Sequence, residues 1–111
     1  MTPEAQVQHD ILRALGALPD VTIWRNNRGH ARNPKTGQHV DFGGPPGASD
    51  LLGLGPGGRL IAFEVKSATG RATPQQKAFI RMVLERGGIA GVVRSVEDAL
   101  ALIEQARTAA A

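Results

Sequence analysis

The chain has 111 residues, 41% of them hydrophobic and 21% charged, which suits one soluble globular domain spanning residues 1–111 and leaves no room for a separate regulatory module. Cysteine is absent, which excludes disulfides and any cysteine-based zinc site, and no apolar run is long enough to span a bilayer. With Glu4 and Asp10 where a secretory leader would be basic and then apolar, the chain reads as a complete cytoplasmic protein. The formal net charge is only +3, but its distribution is uneven: between Asp20 and Asp41 stand Arg25, Arg28, His30, Arg32, Lys35 and His39, with no acid among them. Such a segment suits a phosphate backbone, a solvated loop being the alternative.

Thr2-Pro3-Glu4 is a helix start, with Thr2 as N-cap and Pro3 in the first helical position. A first helix is predicted to about Leu15, with Val7, Ile11, Ala14, Leu15 and Leu18 as its apolar stripe. Glu4 falls close to that stripe, so it either complements the helix dipole or reaches a site at the end of a sheet. Val21-Thr22-Ile23-Trp24-Arg25-Asn26 has the β-branched and aromatic content of a strand. A lone Trp inside a strand is expected in the core, stacking on a base being the functional alternative. Asn27 to Lys35 reads as a polar loop tightening at Asn33-Pro34-Lys35-Thr36-Gly37, followed by a short strand candidate at Gln38–Phe42. Gly43-Gly44-Pro45-Pro46-Gly47 then lets the backbone approach a ligand closely.

Gly47 to Lys66 carries the chemistry. Two apolar runs flank Pro56-Gly57-Gly58, a hairpin signal in which Pro presets φ and a glycine takes the left-handed position. Pairing Gly55 with Arg59 puts Asp50 opposite Glu64, and strand alternation places Lys66 on their face while Ile61, Phe63 and Val65 take the other. Two carboxylates directly opposite each other repel unless something positive lies between them. A divalent cation is the simplest candidate, since Mg²⁺ is usually held by one or two carboxylates with water and phosphate oxygens. Lys66 would then orient a water or stabilise charge on phosphorus. The plainer alternative is that Glu64 and Lys66 are solvated charges at a strand end.

Thr73-Pro74-Gln75-Gln76 opens a second helix through a capping box, and Gly87-Gly88 closes it. Gln76 shares a face with Phe79, Ile80 and Val83, so its amide also turns toward the sheet beside Lys66. Ile89 to Arg94 is a buried strand, expected to return parallel to Leu60–Lys66. Ser95 caps a third helix with Ala99, Leu100, Leu102, Ile103 and Ala106 as its apolar residues, and the last alanines are expected to fray. The order α-β-β-β-α-β-α describes an α/β (α+β) fold, a mixed sheet flanked by helices.

Asp50, followed on the next strand by Glu64-Val65-Lys66, resembles the PD-(D/E)XK nuclease superfamily, with Ser49-Asp50 standing for the Pro-Asp of its name. A wider pattern runs through Glu4 and Gln8, Arg25-Asn26, Gly47-Ala48-Ser49-Asp50-Leu51, Glu64-Val65-Lys66, Gly70-Arg71, Gln76, Gly87-Gly88 and Val92-Val93. It resembles the VRR-NUC family, the virus-type replication-repair nucleases, from about Glu4 to Ile103. That resemblance implies a restriction-endonuclease-like core and a deoxyribonuclease dependent on Mg²⁺ or Mn²⁺. It implies Asp50, Glu64 and the Val65 carbonyl as metal ligands with Glu4 approaching, and Asp50, Glu64, Lys66 and Gln76 as catalytic residues. Arg25, Asn26, Arg28, Arg32, Lys35 and Arg71 are the residues expected on DNA. Stand-alone members are similar to Holliday junction resolvases, so a homodimer acting on branched or duplex DNA in replication, repair or recombination is expected. Two other classes compete. One is a non-catalytic nucleic-acid-binding protein that keeps the nuclease fold, the other a ββα-metal nuclease using His30, Asn33, His39 and Asp41; within the leading class, a flap or nicking nuclease acting as a monomer is the alternative.

Overall fold

Thr2 caps the first helix as expected: its Oγ1 accepts from Ala5 N at 3.1 Å, Pro3 follows, and α1 runs Pro3–Gly16. The structure, a computed structural model, describes residues 1–109. The strands are β1 (Thr22–Arg25), β2 (Gly29–Arg32), β3 (His39–Phe42), β4 (Leu51–Leu54), β5 (Leu60–Val65) and β6 (Ile89–Val93), with α2 at Pro74–Glu85 and α3 at Val96–Ala109. Four strands form a sheet in the order β1-β4-β5-β6, antiparallel except for the parallel β5–β6 pair. This is the expected mixed sheet flanked by helices.

The hairpin that sets the register is built by its loop. Gly55 N donates to Arg59 O at 2.8 Å, Pro56–Gly58 makes a 3₁₀ turn, and Gly57 and Gly58 stand at φ +73° and +77°, where a side chain would be strained. Leu51 consequently pairs with Phe63 and Leu54 with Leu60, which continues to Asp50 opposite Glu64.

Alternation then divides the core between two faces. Ile61, Phe63 and Val65 pack with Leu51, Ile89 and Val93 beneath α1 and α3, which contribute Ile11, Leu15, Ala99 and Ile103. The opposite face carries a smaller cluster in which Ala62 and Ala90 meet Val83, Phe79, Ile80 and Met82 of α2. Both bonds of the Thr73/Gln76 capping box are present, and Gly87 at φ +88° ends α2 with Gly88 N donating to Val83 O at 2.8 Å. Ser95 Oγ accepts from Asp98 N at 3.1 Å while Asp98 Oδ2 accepts from Arg94 N at 2.9 Å, a second reciprocal cap. The expected fraying of the final alanines concerns residues 110 and 111, outside the described residues; Ala109 is still helical.

Three expectations need correction. The polar stretch after Asn27 contains a strand, β2, which pairs with β3 in a separate two-stranded sheet. Nothing in Gly-His-Ala-Arg has strand preference; the pairing is imposed by the Asn33 turn, where Gly37 N donates to Asn33 O and Asn33 N to Gln38 O, both at 2.8 Å. Trp24 is 45% exposed, not core, because α2 covers β5 and β6 and leaves the β1 end of that face bare. Gly47, at φ +83°, brings its backbone against α2 and not against a ligand: a Cβ there would stand 2.2 Å from Gln75 O. Without the β2–β3 arm the order is α-β-β-β-α-β-α, as the sequence predicts.

Candidate active site

Asp50 is fixed from both sides. Its backbone oxygen accepts from Asn26 N at 2.7 Å, tying it to β1, and its Oδ2 accepts from Val65 N at 2.9 Å, tying it to β5. Asn26 completes the clamp, its Nδ2 donating to Gly43 O at 2.8 Å and Ser49 O at 3.3 Å. Expected on DNA, Asn26 is half-buried and its amide holds the loop that delivers Asp50.

Glu64 is only 1% exposed, which excludes the solvated strand-end reading. Its carboxyl shares a hydrogen bond with Asp50, and Oε1 is buried without any partner. Burial pushes the Glu64 carboxyl up to about 9, with the hydrogen bond and charge of Asp50 and the charge of Glu4 adding to the rise and Lys66 opposing it. At neutral pH the metal-free Glu64 carboxyl therefore keeps its proton. Buried polar atoms are almost always paired, so an orphaned carboxyl oxygen beside a second carboxyl is a place prepared for something else.

A hard divalent cation fits that donor set. It would take Asp50 and Glu64 as oxygen ligands, and it would replace the proton that now keeps the two acids together. Glu4 is half-buried at the start of α1, close enough for its charge to act on Glu64. Among the described residues, however, no three His, Asp or Glu side chains gather closely enough to hold an ion by themselves.

The other expected residues divide by position. Lys66 is half-buried on the same face as Glu64, one step past the end of β5. Gln76 sits in the first turn of α2 with its Oε1 accepting from Thr73 N at 2.8 Å, so the capping role is realised. Arg71 lines a cleft of about 530 Å³ with Lys77, Arg94 and Val92, and Val92 is the β6 partner of Glu64. No acid lines that cleft. Arg28, Arg32 and Lys35 are exposed on the β2–β3 arm. Arg25 does not join the acids: it pairs with Leu51 and alternates onto the α1/α3 face.

Sequence reasoning overlooks Arg94 and Ser49. Arg94 Nη1 donates to the carbonyls of Ser67 and Gly70 and so holds the loop that follows Lys66. Ser49 is fully buried with its Oγ unpartnered, directly before Asp50. The arm does not make a ββα-metal site: His30 lies opposite Asp41, but Asn33 Oδ1 accepts from Lys35 N at 2.9 Å and the chain continues into a glycine-proline loop, not a helix.

A mixed sheet between helices, with an acid at the head of one central strand and Glu-x-Lys at the end of the next, defines a core of the PD-(D/E)XK nuclease type. The VRR-NUC domain model matches residues 4–97, and the chain belongs to this family of nucleases. A solved structure described as a VRR_NUC domain is 26% identical, with 94% of this chain and 97% of that one covered at a TM-score of 0.65. Another, described as a VRR_NUC domain protein, is 18% identical over 97% of this chain and 90% of its own, at a TM-score of 0.61, and shows the shared fold. No curated protein matches the chain in sequence. Among the described residues no helix is long and apolar enough to cross a membrane.

Proposed function

We propose that the chain is a Mg²⁺- or Mn²⁺-dependent deoxyribonuclease that cuts phosphodiester bonds in branched or duplex DNA. The observation that carries this reading is the Asp50–Glu64 pair, in which a buried Glu64 with an unpartnered Oε1 stands opposite a half-buried Asp50. A surface built only to bind phosphates gains nothing from two carboxylates facing them, so the pair argues against a purely binding protein.

Asp50, Glu64 and the Val65 carbonyl would hold the ion, with Glu4 adding negative charge from α1. When bound, the ion neutralises phosphate charge and lowers the pKa of a coordinated water. Lys66, on the same face, orients the attacking water and offsets charge on the phosphoryl oxygens as the bond to the departing sugar oxygen breaks. Gln76 and the close approach of Gly47 fix α2 against the loop that carries Asp50, so Gln76 acts chiefly by positioning. Arg28, Arg32, Lys35 and Arg71 bind the backbone on either side. A two-fold homodimer would match the symmetry of a four-way junction. The outer edges of the sheet, or the outer face of α3 where Leu100 is 38% exposed, are the surfaces that association would use.

The test is cleavage of linear duplex, single-stranded, flap and four-way-junction DNA with Mg²⁺, Mn²⁺ or EDTA. Metal-dependent cutting is expected, and Glu64→Gln should lower it by about 10²–10³-fold, the usual cost of losing one preorganised electrostatic group. Equal cutting by Glu64→Gln at matched metal concentration would remove the assignment.

A further inference from the structure

Trp24 is the only tryptophan in the chain, and it stands 45% exposed on β1. Its neighbour Ile23 packs into the α1/α3 core, so alternation turns the indole to the face that carries Asp50 and Glu64. On that face Trp24 pairs with Leu52, which pairs in turn with Ala62. Helix α2 packs on β5 and β6 and its cluster reaches Leu52 of β4, leaving β1 uncovered at the sheet edge, where Leu54 at the end of β4 is also 50% exposed. Asn26, two residues on, joins Asp50, so strand geometry puts the Cα atoms of Trp24 and Asp50 about 8 Å apart. That is roughly two steps of stacked bases at ~3.4 Å each.

We propose that Trp24 is a stacking platform for an unpaired base beside the scissile phosphate, and so a residue that sets preference for single-stranded or locally unpaired nucleic acid. The placement of that phosphate rests on the nuclease reading of Asp50 and Glu64. A flat, rigid, exposed indole one row from a phosphodiester-cutting centre meets whatever nucleotide flanks the cut. Every base offers a π face, whereas a base still paired and stacked within a duplex has none free to give it. Arg28, on the loop that follows β1, lines a cleft of about 320 Å³ with His30, Asp41, Gly44 and Pro46.

Because the tryptophan is unique, its fluorescence reports this stacking directly. Wild-type protein in EDTA is titrated with a labelled oligothymidylate 12-mer and separately with a 12-base-pair blunt duplex, reading indole emission and label anisotropy together. Single-stranded DNA should quench the emission in step with anisotropy, and the duplex should bind with little quenching. Trp24→Ala should weaken single-strand binding about tenfold, the size of one base–aromatic stack, while Trp24→Phe recovers most of it. Binding with unchanged emission, or Trp24→Ala binding the single strand as tightly as wild type, would overturn the proposal. So would an emission shift that follows protein concentration without DNA, since a second copy would then cover the indole. Cleavage with Mg²⁺ is assayed separately, so a failed platform and a failed nuclease reading give different results.

Discussion

The four-stranded sheet and the two-stranded arm are both assembled from short strands, and they differ in what stands on their faces. The sheet has α1 and α3 on one side and α2 on part of the other, so Phe63, Val65 and Glu64 are all but sealed from water. On the arm, Ala31, Val40 and Phe42 share one face, His30, Arg32, His39 and Asp41 share the other, and every one of them is exposed. Its own β2–β3 ladder, the turn bonds at Asn33 and the Phe42 ring lying over Gly29 hold it, and a lone hairpin of this kind is marginal in water. Chemistry that needs fixed, desolvated charge belongs on the sheet. Long-range attraction of a polyanion needs only exposed cations, and the arm supplies them.

Phe63 and Phe42 give the largest contrast. Phe63→Ala should cost about 3–5 kcal/mol, as a fully buried ring leaves a cavity, whereas Phe42→Ala should cost no more than about 1 kcal/mol of cross-strand packing. Urea denaturation of both variants measures the difference, and comparable losses would mean that the arm is packed against something in solution.

A second contrast is the response to pH. Glu64, with its folded carboxyl raised to about 9 from an ordinary value near 4.5, binds its proton more tightly folded than unfolded. Its contribution is therefore fully present below pH 4.5 and is lost as pH rises toward 9. Metal-free protein should show a falling urea midpoint across that window, and Glu64→Gln should flatten it. The exposed Asp20–Arg107 pair acts in the opposite direction, since Arg107 holds the Asp20 carboxyl below its ordinary value and that contribution fades only in acid.

The smallest expected effect on stability, and the clearest on binding, lies in the arm. Arg28→Ala with Arg32→Ala should leave stability within about 0.5 kcal/mol. It should also flatten the slope of log K against log salt by about two, one for each phosphate that is no longer neutralised. DNA anisotropy across a salt series reads the slope, and an unchanged value would return the arm to a solvated hairpin.

What is legible in the sequence follows from how local its cause is. The Pro56-Gly57-Gly58 loop fixes the register from three residues, and with it the meeting of Asp50 and Glu64; the caps at Thr2, Thr73 and Ser95 are equally local. The second arm strand is not legible, because Gly29–Arg32 takes its extended form from the partner across the Asn33 turn. Trp24 is expected in the core and is not there, because its exposure depends on how far α2 reaches across the sheet, a tertiary fact. Gly47 does make room, as its lead-in suggests, but the room is for the first turn of α2. The face of Arg25 is legible from alternation alone, since it shares that face with Ile23 and not with Asp50.

At the centre of the proposed site, metal-free Glu64 keeps a proton that a bound divalent cation would displace. Titrating Mn²⁺ into the protein at pH 7.5 by calorimetry, in two buffers of different ionisation enthalpy, counts the protons released as the ion binds. Close to one proton per ion is expected from the wild type and none from Glu64→Gln. Binding without proton release in the wild type, or the same release from both proteins, would contradict that exchange.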